Sequence, residues 1–285
     1  MKAMITGSKG QLGVALQRCA PAGTEIVAAD MDVLDITDRD AVDAYVKWEK
    51  PQLILNCAAY TAVDKAEADE ESARAVNATA VGYLADAARH VGARLVQVST
   101  DFVFEGMLGI PYKPDERPAP LSVYGKTKAE GEWAAGGDAL VVRTAWVYAP
   151  TGGNFVRTML RLMNERDTIG VVDDQIGTPT YAPGLAQALW TLAGQDAAGI
   201  YHYTDSGVAS WYDFAVAIYE EGRALGLVTR DVAVNPVPTS AYPTPARRPH
   251  YSVLDKTATF AALGAPAPHW RVNLRHMLNE IKTNG

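Results

Sequence analysis

Tyr124 and Lys128 stand four residues apart in Tyr124-Gly125-Lys126-Thr127-Lys128, and in a helix that spacing places a phenol and an amine on one face, one turn apart. A free tyrosine, with a pKa of about 10, is a poor acid or base at neutral pH, but a neighbouring ammonium favours its phenolate. The pair is a candidate for donating a proton to a carbonyl. Tyr-x-x-x-Lys is also a common accident of helix surfaces, so its meaning depends on what surrounds it. Upstream, the apolar run from Leu95 to Val98 passes directly into Ser99-Thr100-Asp101. Hydroxyls at the carboxyl end of a strand lie where ligands bind in open α/β sheets. Further upstream, Gly7-Ser8-Lys9-Gly10-Gln11-Leu12-Gly13 follows the short apolar run 1–6 and precedes a helical pattern in Val14, Leu16, Gln17 and Arg18. In such a turn the first glycine makes the bend, the second lets a pyrophosphate approach the backbone and the third packs helix on strand. The pyrophosphate would meet the free N–H groups at the helix start.

These groups need strands to carry them, and the sequence supplies the strands in order. Residues 25–29 predict a second strand ending at Asp30, whose carboxylate can accept from an adenosine ribose and would repel a 2′-phosphate. Lys9 in the glycine loop favours that phosphate, so both NADH and NADPH stay open. Asp35-Ile36 precedes a helix predicted over 38–48, and Asp35 is either its cap or an adenine contact. Leu53-Ile54-Leu55 reads as a strand buried on both faces, running into Asn56-Cys57-Ala58-Ala59-Tyr60-Thr61, where small side chains leave room for a cofactor. Residues 72–90 predict a long helix holding Asn77, and 140–142 a fifth strand. Helices are predicted over 154–165, 181–193 and 211–222, the last capped by Ser210, with a strand over 169–172. The proline-rich stretch 236–249 predicts a fixed loop.

Composition narrows the function classes. The 285 residues are 48% hydrophobic and 21% charged, with a net charge of -7, which suits a folded chain with a substantial core and argues against nucleic acid or an anionic membrane as the main partner. No leader and no long apolar run is evident, so the expectation is a cytoplasmic protein. Cys19 and Cys57 lack metal or redox spacing, and the scattered histidines suggest no nucleophile or metal site.

The order of glycine turn, acidic strand end, Asn-Cys-Ala-Ala, Ser-Thr-Asp and Tyr-x-x-x-Lys resembles the extended short-chain dehydrogenase/reductase family, from Gly7 almost to the C-terminus. Residues 58–67, 123–128, 143–148, 173–180 and 237–249 resemble one branch of it, which reduces the C4 ketone of dTDP-4-dehydro-L-rhamnose. The resemblance implies an α/β fold, a Rossmann-type doubly wound parallel sheet with a smaller C-terminal substrate-binding lobe. It places a dinucleotide domain at 1–145 with a return segment near 168–200, and the interleaved substrate lobe mainly at 146–285. By resemblance Tyr124 donates the proton at C4, Lys128 supports the phenolate and binds the nicotinamide ribose, and Thr100 polarises the carbonyl. Gly7, Gly10, Gln11, Leu12, Gly13, Asp30, Asp35, Ile36, Ala59, Tyr60, Thr61, Val98, Tyr124 and Lys128 fall where the family binds NADPH or NADH. Val63, Asp101 and Trp146 fall where it contacts the dTDP-sugar, and Arg247 in the proline-rich loop has guanidinium geometry suited to its diphosphate. Phe102 and Glu105 depart from the common pattern without touching the proton transfer. Some relatives bind magnesium at a dimer interface through a carboxylate just after the glycine turn. Val14-Ala15 stands there, so no metal is expected and a homodimer stays open. Two other readings remain: another nucleotide-sugar 4-ketoreductase or epimerase, and a cofactor-binding regulatory subunit without catalysis. Asp101-Phe102 lacks the following Glu of a dehydratase.

Overall fold

The computed structural model describes residues 1–284. The chain runs through β1 (Lys2–Thr6), α1 (Gln11–Arg18), β2 (Glu25–Ala29), α2 (Arg39–Glu49), β3 (Leu53–Asn56), α3 (Val63–Ala66), α4 (Glu70–Arg74), a π-helical turn at Ala75–Thr79, α5 (Ala80–Val91), β4 (Arg94–Thr100), α6 (Val123–Ala135) and β5 (Leu140–Thr144). It continues through β6 (Val147–Tyr148), α7 (Phe155–Glu165), β7 (Thr168–Val172), β8 (Ile176–Gly177), β9 (Thr180–Tyr181), α8 (Ala182–Gly194), β10 (Gly199–His202), β11 (Ala209–Ser210), α9 (Trp211–Leu225), β12 (Ala233–Val237), α10 (Thr257–Leu263) and α11 (Trp270–Asn284).

Side chains alternate across a strand, and here the alternation builds two cores. Ala3 and Ile5 of β1, Leu53 and Leu55 of β3, and Leu140 and Val142 of β5 join α1 and α8 in one cluster. Met4, Ile54 and Val141, the residues between them, join α2 and α5 in the other. β3 is buried along its whole length, each Leu or Ile contributing about 1.5–3 kcal/mol. The sheet between these layers has the order β10-β5-β4-β3-β1-β2, and each of its neighbouring pairs is parallel. It is a doubly wound Rossmann-type sheet. Its order reverses between β1 and β3, and the crevice at the strands' carboxyl ends there is where such sheets bind ligands.

A third cluster gathers α7, α9 and α11 around the parallel pair β7 and β12. Residues 168–172 therefore pair away from the main sheet, while α8 packs on α1 and β10 joins β5. Pro236, expected in a loop, lies within β12, an edge position where a missing N–H is tolerated. After a 3-10 turn at Thr239–Ala241 the rest of that stretch is irregular. Asp38, not Asp35, caps α2, accepting from Ala41 N at 3.1 Å. Ser210 caps α9 in a reciprocal box with Asp213. No helix among the described residues is long and apolar enough to cross a membrane.

Candidate active site

A cleft of about 980 Å³ opens at the reversal between β1 and β3. One wall is formed by Gly7, Gly10, Gln11, Leu12 and Gly13, continuing through Asp30, Asp35 and Ile36. Ala59, Tyr60, Thr61 and Val98 extend it, and Thr100, Tyr124, Lys128 and Trp146 form the inner end. Every residue expected at the cofactor thus lines one cavity, although the residues come from six separate stretches of chain. Val63, Asp101 and Arg247, expected at the sugar, do not line it.

The glycine wall is shaped by contacts that leave no room for side chains. A Cβ on Gly13 would lie 2.3 Å from the Gly7 carbonyl oxygen, so α1 packs directly on the turn. Gly10 N–H donates to Gly7 O at 3.0 Å, and Gly10 is the N-cap of α1 without a capping side chain. The first N–H groups of α1 are therefore left for an anion. At the end of β2, Asp30 accepts from the backbone N–H of Lys9 at 2.8 Å and of Met31 at 3.0 Å. Lys9 Nζ pairs with Asp32 at 2.6 Å, in the open. A backbone-lined turn, a helix start and a carboxylate at the second strand end are the donor set a dinucleotide requires, so the residues fit that group.

The inner end holds the groups able to move a proton. Ser122 caps α6 through Gly125 N, and a Cβ on Gly125 would lie 2.1 Å from Phe102 O. That close approach brings the first turn of α6 against the residues following β4. Tyr124 and Thr100 line the same end of the cleft, and Thr100 Oγ1 donates to Asp101 Oδ1 at 3.0 Å. Burial pushes the Tyr124 phenol up to about 12, a rise that the neighbouring Thr100 hydroxyl partly offsets. It pushes the Lys128 ammonium down to about 8 and the Asp101 carboxyl up to about 6. Lys128 Nζ donates to Val98 O at 2.6 Å, so its proton-bearing end is held by the backbone of β4. At neutral pH Tyr124 keeps its proton and is poised as an acid.

Other contacts tie the cleft together, several of them between residues far apart in sequence. Asn77, in the π-helical turn, accepts from Tyr60 N at 2.9 Å and donates to Tyr60 O at 3.1 Å and to Thr127 Oγ1 at 3.1 Å. It fixes the Tyr60 loop to α6. Gln11 donates to Gly153 O at 3.2 Å and accepts from Asn154 Nδ2 at 2.9 Å, which joins the glycine turn to the start of α7. The Gly152-Gly153 pair before a capping Asn154 was the available sequence signal for this missed part of the cleft. Trp146 has a left-handed φ of 49° and stacks on Trp211, ring centroids 3.6 Å apart. Arg248 pairs with Asp64 at 2.7 Å, anchoring the proline-rich loop beside α3. Arg247 is left exposed next to it, and Val63 is half-buried at the start of α3. Asp101 is buried behind Thr100 with Oδ2 unpaired among protein groups. Among the described residues, no group of three or more His, Cys, Asp or Glu side chains is placed to hold a metal ion.

Known proteins share this sequence pattern and fold. The sequence pattern of the family described as RmlD substrate binding domain matches residues 1–283. The chain is 42% identical to a dTDP-4-dehydrorhamnose reductase of Escherichia coli K12, covering 99% of both chains. It is 43% identical to one from Burkholderia thailandensis, covering 95% of this chain and 96% of that one. Among solved structures it superposes on a dTDP-4-dehydrorhamnose reductase of Clostridium acetobutylicum with a TM-score of 0.93 at 39% identity, covering 99% of this chain and 100% of that one. A Bacillus anthracis dTDP-4-dehydrorhamnose reductase in complex with NADP gives 0.92 at 37% identity, covering 98% and 99%.

Proposed function

The chain belongs to the RmlD substrate-binding family of dTDP-4-dehydrorhamnose reductases, and from that premise we propose that it reduces the C4 ketone of dTDP-4-dehydro-L-rhamnose to give dTDP-L-rhamnose. The observation that carries this reading is the meeting of Thr100, Tyr124 and Lys128 at the inner end of a cleft whose outer wall is a glycine turn. NADH or NADPH, when bound, supplies the hydride; the residues supply position, charge and the proton. The start of α1 faces the diphosphate, Asp30 accepts from the adenosine ribose, and Ala59, Tyr60, Thr61 and Val98 lie against the remainder. Asp35 and Ile36 border the adenine end.

At the inner end, Tyr124 gives its proton to the oxygen at C4 as that oxygen gains charge. A pKa pushed up to about 12 keeps the phenol protonated until that charge develops. Thr100 turns its single hydroxyl hydrogen from Asp101 Oδ1, 3.0 Å away, to the same oxygen. The Lys128 ammonium lowers the cost of the phenolate left behind. On the sugar side, Trp146 forms an apolar wall of the cleft, while Asp101 acts from behind Thr100. A net charge of -7 suits a small-molecule enzyme better than a nucleic-acid binder.

The reading is tested by following loss of nicotinamide absorbance with dTDP-4-dehydro-L-rhamnose, beside other dTDP-4-keto sugars. Rapid oxidation with the rhamnose precursor is expected. Oxidation only with a different 4-keto sugar would move the assignment within the family, and none with any would leave a cofactor-binding protein without this chemistry.

A further inference from the structure

Trp146 reaches the cleft from a backbone conformation that bulky residues rarely adopt. Its φ of 49° is left-handed, and a tryptophan stays there only where its surroundings dictate it. It lies in the short step from β5 to β6, and its carbonyl accepts from Thr180 N at 3.2 Å. The indole is confined by two further residues. Trp211 lies nearly parallel to it, with 3.6 Å between ring centroids and 11° between planes. Gly177 meets it where a Cβ would stand 2.8 Å from Cε2, 2.9 Å from Cζ2 and 3.0 Å from Nε1.

Gly177 and Trp211 are brought together by one small ladder. β8 and β11 pair antiparallel, with Gly177 opposite Ala209 and Ile176 opposite Ser210, and Trp211 comes next as the first residue of α9. Ser210 Oγ accepts from Asp213 N at 2.9 Å, and Asp213 Oδ2 accepts from Ser210 N and Oγ, each at 2.8 Å. That reciprocal cap fixes the first turn of α9. Phe155, at the start of α7, packs on Trp211 with 4.7 Å between centroids. A residue without a side chain and an aromatic plane thus form a slot around the Trp146 indole, which lines the cleft.

Packing alone does not call for a left-handed tryptophan, since an apolar core fills as well from ordinary backbone. Strained residues held by over-determined surroundings collect at ligand sites, and a wall fixed before binding avoids the entropy of ordering it afterwards. We propose that Trp211 and Gly177 are positioning residues for substrate binding: their slot holds the Trp146 indole as a preformed apolar wall for the sugar of the nucleotide-sugar.

The inference rests on the reading that Trp146 borders the sugar, and its test keeps the two apart. Calorimetric affinity for dTDP-L-rhamnose, which needs no turnover, is measured on the full chain beside KM and kcat for the keto sugar and the NADH dissociation constant. Trp211→Leu is expected to weaken dTDP-L-rhamnose binding and raise KM about tenfold, the upper end of what an aromatic pair contributes. Its kcat and NADH affinity should stay within a factor of about two. Trp211→Phe, which keeps a ring face, should recover most of the loss. Gly177→Ala, whose Cβ displaces the indole, should weaken binding by a similar factor and carries the test if Trp211→Leu does not fold. In a Trp146→Ala background each of these substitutions should change affinity by less than about twofold, because a residue acting through Trp146 then has nothing to hold. Equal losses with and without Trp146 overturn the proposal. So does native affinity in Trp211→Leu and Gly177→Ala beside weakened binding in Trp146→Ala, and so does failure of both variants to fold, which assigns the slot to folding alone. Native affinity in Trp146→Ala itself overturns the sugar-side reading of Trp146, and the inference with it.

Discussion

The two walls of the cleft are built by different means. The outer wall, from Gly7 to Gly13 and on through Asp30 to Tyr60, is shaped at its glycine turn by contacts that exclude side chains, such as the 2.3 Å approach that a Cβ on Gly13 would make to Gly7 O. The inner wall presents side chains held by partners from other elements: Tyr124 edge-on to Phe102, Lys128 by Val98 O, Trp146 by Trp211. Binding a dinucleotide requires a surface that fits closely and carries donors, whereas moving a proton requires groups whose pKa values are set by burial and neighbours. A change in the outer wall should therefore cost dinucleotide binding first, and loss of the Tyr124 hydroxyl or of Trp146 in the inner wall should cost turnover or sugar affinity first.

Three substitutions separate the walls. Gly13→Ala forces a Cβ into backbone, which costs about 1–3 kcal/mol of stability or more. Since the displaced turn is the one a diphosphate would rest on, NADH affinity should also fall about 100-fold, or nearly 3 kcal/mol. Calorimetry and fluorescence titration would check both, and unchanged affinity would show that the turn does not carry the cofactor. Trp146→Ala removes an inner-wall surface and should raise KM for the dTDP-sugar about 30-fold, near 2 kcal/mol, with the NADH dissociation constant unmoved. A parallel loss of NADH affinity would merge the two walls. Asp30→Ala, at the far end of the outer wall, should raise the ratio of NADPH to NADH kcat/KM about tenfold, by removing the carboxylate that repels a 2′-phosphate while Lys9 remains. A ratio that stays put would place the choice of cofactor elsewhere.

The outer wall was legible because its signals are local. Gly7, Gly10 and Gly13 announce a turn within one short stretch, and Asp30, Ala59 and Val98 sit at strand ends that apolar runs reveal. Tyr124 and Lys128 were legible through their spacing, but their proton affinities were not, because those depend on burial. The part played by Trp211 escaped notice because its partner Trp146 lies on a distant stretch of chain. The bond from Asn154 to Gln11 spans 143 residues and leaves no local trace. Pro236 reads as a loop residue by type, yet it lies within β12, because an edge strand tolerates a missing N–H. Arg247 and Arg248 were indistinguishable by type, and only the position of Asp64 tells that Arg248 is paired.

Tyr124 is the proposed proton donor, and its hydroxyl contributes to chemistry rather than to holding the dinucleotide. Tyr124→Phe removes one oxygen and leaves the ring edge-on to Phe102, 5.6 Å between centroids. Single-turnover oxidation of NADH with dTDP-4-dehydro-L-rhamnose, beside a direct NADH binding titration, tests it most directly. The expected result is a rate lower by about 100- to 10,000-fold, the usual worth of a general acid, with NADH affinity within a factor of about two of the native chain. A rate close to native would contradict the account, and so would a lost rate explained entirely by lost NADH binding.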